Sequence, residues 1–200
     1  MIKKKTVVLS TLLIGSSLVI GTTAFADKAT TGTVDYTAGT LSLDGSAVLP
    51  DNLNFGNHPI QSKVDETWVA TDDGVQTSTA TTGAINVSDN RGTSAGWSVK
   101  VNQAAQFARG SDTLTAAALS ITGGAVTNNL SVTPTGEGFG GKKVTLDINT
   151  TANVLSAKVT EGNGETSLPL TKFELAVPKT TVKKGLNYQT TLNWTLSATP

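Results

Sequence analysis

The chain has 200 residues, with 15 basic and 15 acidic side chains, one histidine and no cysteine. Without cysteine there are no disulfides, thiol nucleophiles, zinc–thiolate sites or lipidation at an N-terminal Cys. The even charge balance contains no long run of one sign, which argues against the basic surfaces that hold nucleic acid or an anionic membrane.

The first 26 residues have three parts. Lys3, Lys4 and Lys5 form a positive stretch, Val7 to Ile20 carries no charge, and Ala24-Phe25-Ala26 fits a small-x-small cleavage pattern. That layout predicts a secretory signal peptide over residues 1–26. A membrane-spanning helix is the rival, but the apolar run is short for a span of roughly 20 residues and contains Ser, Thr and Gly. Cleavage would leave residues 27–200 with 12 basic against 15 acidic side chains, a net charge of −3. A chain of that length can bury a real core as one domain.

The remainder reads as an all-β fold, an antiparallel β-sandwich or a barrel-like single domain. Short alternating stretches sit between Gly, Asn and Asp clusters. Strands are predicted at Thr40–Leu43, Ala84–Ser88, Trp97–Gln103, Ala117–Thr122, Leu130–Thr133, Val144–Asn149, Val154–Val159, Phe173–Val177 and Gln189–Ser197. In three of them apolar side chains fall on one parity: Trp97, Val99 and Val101; Val144, Leu146 and Ile148; Leu192, Trp194 and Leu196. This is the pattern of a strand with one buried face. Residues 27–33 read as a leader, Ser111–Leu119 as either a strand or a helical turn, and Glu161–Glu165 as a hairpin tip. Leu168-Pro169-Leu170-Thr171-Lys172 superficially resembles a sortase signal but lacks its Gly. It reads instead as a loop feeding a strand. The ending Leu196–Pro200 supplies no apolar tail, so the chain is expected either to leave the cell or to hold to its surface through its own fold.

Two segments carry a family resemblance. One runs from Val87 through Asp89, Arg91, Gly92 and Gly96 to Trp97-Ser98-Val99-Lys100-Val101. The other is Tyr188 to Pro200, with Leu192, Trp194-Thr195-Leu196 and the closing Pro. With Leu53-Asn54-Phe55-Gly56 upstream, they resemble the WxL domain of Gram-positive surface proteins. The first motif departs from the name, having Val99 where Leu is expected. The resemblance covers roughly residues 30 to 200. It implies non-covalent adherence to the cell wall, with peptidoglycan as the proposed ligand. It also implies company with WxL-interacting proteins and small sortase-anchored proteins.

The candidate ligand-binding residues are Trp97, Val99, Tyr188, Trp194 and Leu196. An indole face can stack on the C–H faces of a sugar ring while polar neighbours bond its hydroxyls. The same parity also suits a buried core, and Tyr188 also reads as a structural corner with its hydroxyl on backbone. Trp68, next to an acidic turn, reads as more exposed. No catalytic residue is expected. Gly92-Thr93-Ser94-Ala95-Gly96 fits G-x-S-x-G, but a strand follows it and the sole histidine, His58, lies upstream. His58 has no second His or Cys for a metal site. Asp72-Asp73 and Asp89-Asn90 offer oxygens without calcium-loop spacing. Neither a cofactor nor a metal is expected. The expected role is a secreted module on the cell wall. The alternatives are a structural subunit held by a partner protein and an adhesin for host matrix protein.

Overall fold

The computed structural model describes residues 31–43, 49–136 and 138–200. The signal peptide expected over residues 1–26 lies outside the described residues. Residues 31–36 are exposed and carry no regular structure, while Thr37–Pro200 forms one compact body. No helix occurs among the described residues. The strands are β1 (Leu41–Leu43), β2 (Glu66–Val69), β3 (Gly83–Asp89), β4 (Trp97–Gln103), β5 (Ala108–Arg109) and β6 (Asp112–Thr113). They continue with β7 (Ala118–Gly123), β8 (Thr127–Asn128), β9 (Lys143–Thr145), β10 (Thr151–Ala157), β11 (Gly164–Val177) and β12 (Leu192–Ser197).

All pairings are antiparallel, as the alternating pattern requires. The larger sheet follows the open path β1-β3-β11-β7-β9, with β2 and β8 also on β11. The 14-residue β11 is its spine: residues 164–170 pair with β3, and Leu170–Ala176 pair with β7. The smaller sheet is β10-β4-β12. Both sheets bury apolar faces in one cluster. Ile85, Leu119, Leu168, Leu170 and Phe173 come from the larger sheet, and Trp97, Val99, Val101 and Val154 from the smaller. The described residues are therefore all-β, with two open sheets sharing a core and a separate two-stranded β5-β6 ladder.

Several local expectations need correction. Leu168–Lys172 is not a loop but the middle of β11. Pro169 is tolerated there because its carbonyl accepts from Gly124 N–H, so its missing donor points to the same side, past the end of β7. Glu161–Glu165 does not tip a hairpin. It carries the chain from β10 in the smaller sheet to β11 in the larger. Leu130–Thr133 is a turn, with Ser131 at φ 60° and the Asn128 side chain accepting from the N–H of Leu130 and Val132. The strand predicted to end at Asn149 stops at Thr145; Asn149 has φ 63°, and Thr150 N–H closes a turn onto Asp147. Ser111–Leu119 contains β6, a turn and the start of β7, with no helical turn.

Candidate functional site

The two tryptophan motifs lie on adjacent strands. β12 pairs with β4 so that Trp194 faces Val101 and Leu196 faces Val99. Directly paired residues share a face, so Trp97, Val99 and Val101 line up with Leu192, Trp194 and Leu196 against one apolar cluster. Trp97 and Val99 are fully buried, and the Trp97 indole N–H donates to the buried Gly162 carbonyl at 3.1 Å. Trp194, Leu196 and Tyr188 are half-buried at its margin. Tyr188 forms the corner its position suggested, its hydroxyl accepting from Lys184 N–H at 3.0 Å.

The loop before β4 and the end of β12 are tied together. Arg91 grips Asp89 with Nε at 2.9 Å from Oδ1 and Nη2 at 2.8 Å from Oδ2. The same guanidinium donates to the carbonyls of Gly96 and Ala198. Ser98 Oγ donates to the Thr199 carbonyl at 2.9 Å. Gly96, at φ 77°, has no room for a side chain: a Cβ there would sit 2.4 Å from the Ala157 carbonyl oxygen and 2.8 Å from Pro200. The Arg91 hydrogen bonds hold the Asp89 carboxyl below its ordinary range against the opposing effect of burial.

The exposed halves of Tyr188 and Trp194 open onto a groove of about 1400 Å³. Its walls are the 49–60 segment, β2, the 183–191 segment and the start of β12; Phe173 and Leu175 form part of its floor. Trp68 lies in the wall with the His58 ring stacked on it, centroids 3.4 Å apart and planes within 5°. His58 Nε2 is 2.6 Å from the Phe55 carbonyl, which can only accept, so that nitrogen carries the proton. Amide and hydroxyl groups of Asn52, Asn54, Asn57, Asn187 and Thr190 stand among these rings. Aromatic faces alternating with uncharged hydrogen-bonding groups are what a sugar chain needs: stacking for its C–H faces and partners for its hydroxyls.

Charge in the groove is mostly paired. Lys183 Nζ meets Glu66 at 3.0 Å and donates to the Gln61 carbonyl at 2.9 Å. Burial pushes the Glu66 carboxyl up, but hydrogen bonds from Gln61 and Lys183, with the Lys183 charge, outweigh it and hold the group below its ordinary value. At the mouth Lys184 pairs with Asp112. The pair raises the Lys184 ammonium above its usual value, chiefly through the Asp112 hydrogen bond.

A family model described as the WxL domain, surface cell wall-binding, matches residues 25–200. The chain belongs to the WxL family. Neither a curated protein nor a solved structure matches it. The WxL domain is thus a cell-wall-binding domain of the cell surface, and its two signature tryptophans sit differently: Trp97 inside the core, Trp194 between core and groove.

The remaining polar motifs of this WxL domain have structural partners. Ser94 has φ 51° in the loop before β4, and its hydroxyl accepts from the Asn163 amide at 3.0 Å. Asp73 accepts from Val75 N–H at 2.8 Å and Ser78 Oγ at 2.8 Å. Asp89 is held by Arg91. Among the described residues no cluster of three His, Cys, Asp or Glu side chains could hold a metal ion. The 183–191 wall of the groove carried no chemical signal in the sequence beyond Tyr188. Trp68 could have been found from its isolation between charged residues.

Proposed function

We propose that the groove bordered by Trp68, Tyr188 and Trp194 binds the glycan strand of peptidoglycan and so holds the secreted chain non-covalently on a Gram-positive wall, without catalysis. The observation that carries this reading is the set of half-buried aromatic faces interleaved with uncharged amides and hydroxyls in one open groove, within a family described as cell wall-binding. The pairing of Glu66 with Lys183 supports binding over hydrolysis, because a salt-bridged carboxylate held below its ordinary pKa is a poor proton donor. The test is co-sedimentation of the purified protein with peptidoglycan stripped of protein and of other wall polymers. Binding by the wild type that is lost in Trp68→Ala or Trp194→Ala, while both variants remain folded at the assay temperature, supports the reading. Absence of binding by the wild type refutes it. Release from cells by chaotrope without a muralytic enzyme is the matching expectation for non-covalent attachment.

A second reading has its own observation. Ile60 and Leu186 line the mouth of the groove with 59% and 43% of their surface exposed. Such aliphatic groups contribute little to a glycan site and suit contact with a protein. In that case the domain is a subunit of a surface complex held by a WxL-interacting protein. The peptidoglycan experiment separates the two readings.

A further inference from the structure

We propose that the outer edge of β12 is a strand-addition site, and that its occupant is the leader segment Thr31–Thr37 of a second copy of this chain. The edge is identified by hydrogen-bond parity. Ala104 N–H donates to the Thr191 carbonyl. In the antiparallel register of β12 with β4, residues 191, 193, 195 and 197 therefore bond inward. The N–H and C=O groups of Leu192, Trp194 and Leu196 point to the open side, where β12 has no neighbouring strand among the described residues. The other rim of the same sheet is covered: Phe139 N–H and Gly136 N–H donate to the carbonyls of Val154 and Ser156 on β10. Exposed edges are ordinarily protected by charge, proline or bulges. Leu192-Asn193-Trp194-Thr195-Leu196-Ser197 has none of the first two, and its register with β4 is unbroken.

The leader has the matching pattern. Thr31-Gly32-Thr33-Val34-Asp35-Tyr36-Thr37 alternates polar and apolar from Thr33 onward, has no structure of its own, and exposes 72% of Val34 and 91% of Tyr36. Its length suits a six-residue edge. Laid beside β12, Val34 and Tyr36 extend the row of Leu192, Trp194 and Leu196, while Asp35 falls on the opposite face. On that face Lys100 of β4, paired with Thr195, supplies a positive charge. Two strand spacings, about 10 Å, separate their backbones, a distance the lysine side chain largely spans.

A second copy is favoured over the chain's own leader by direction. Gly39 N–H donates to the Asn90 carbonyl at 2.8 Å, while the adjoining Arg91 donates to Ala198 just beyond β12. A leader entering there would have to run parallel to its own β12, in a fold whose pairings are all antiparallel. One arriving from another molecule can run antiparallel.

Sedimentation of the 27–200 chain over a range of concentrations tests the proposal, with hydrogen exchange read at the amides of Trp194 and Leu196. The wild type is expected to associate as concentration rises and to protect those amides as it does so. Val34→Asp/Tyr36→Asp and, separately, Thr195→Asp, which sets a like charge against Asp35 and competes with it for Lys100, should each weaken association at least tenfold while melting as the wild type does. Three results overturn it: a wild type that stays monomeric to millimolar concentration, protection of the two amides in a monomer, or association undiminished in both variants.

Discussion

Replacing Trp97 by Ala separates core from site most sharply. The indole is fully buried and its N–H is bonded to the buried Gly162 carbonyl. Removing a buried aromatic side chain costs about 3–5 kcal/mol through lost transfer energy and the remaining cavity. The Gly162 carbonyl would also lose its partner, adding about 1 kcal/mol. The sum, roughly 4–6 kcal/mol, is comparable with the whole stability of many domains, about 5–15 kcal/mol. At roughly 2–4 °C per kcal/mol for a body of this size, the melting temperature should fall by about 10–20 °C. Trp97→Phe keeps most of the apolar volume and loses the hydrogen bond, so its loss should be only a few degrees. Differential scanning calorimetry with wall co-sedimentation of the same samples reads both quantities. A Trp97→Ala protein that melts within about 3 °C of wild type, or that melts normally but no longer binds wall, would refute the assignment of Trp97 to the core.

Further outcomes follow from the groove and the loop before β4. Trp194→Ala and Trp68→Ala should lose wall binding about tenfold or more while costing about 1–3 kcal/mol, less than Trp97→Ala because both side chains already keep part of their surface in solvent; calorimetry and co-sedimentation again give the comparison. The Asp89 carboxyl is depressed in the folded state, so its contribution to stability is fully present above its unfolded pKa of about 3.9 and is lost as pH falls through the lower folded value. Thermal melts should therefore be flat with respect to this group from pH 7 to about 5 and decline below about 4, and Asp89→Asn should be less stable at pH 7 with a shallower acid decline. Raising salt from about 50 to 300 mM should change peptidoglycan binding less than twofold, since the groove's charges are mostly paired and short-range contacts are weakly screened; a large loss in a binding titration would indicate a charge-based mode.

The sequence was most informative where one periodicity ran uninterrupted. Trp97–Gln103 is a strand over that very range because every second residue is apolar and nothing breaks the backbone. Legibility failed where tertiary partners decided the outcome. Pro169 and the polar Thr171 and Lys172 hide the middle of β11, which survives because two different strands flank its two halves. Gly162 and Gly164 take positive φ where the chain passes from β10 to β11, but a glycine-rich stretch that reads as a hairpin tip does not reveal whether the next strand returns to the same sheet. For the site, Tyr188 and Trp194 were visible as isolated aromatics near the end of the chain. The groove they border was not, because its other walls come from segments 49–60 and 66–68, brought there by the pairing of β2 with β11.

The link between Ser98 and Thr199 joins residues 101 positions apart, and β4 gains β12 as a neighbour across nearly the same separation. However the polypeptide emerges, from a ribosome or through a membrane pore, most of it must appear before this sheet can close. Trp97 waits for Gly162, 65 residues further on, and β4 waits first for β10 and then for β12. Distant pairings of this kind slow folding. The smaller sheet, and with it the shared row of Trp97 and Trp194, is therefore completed only once β12 is available.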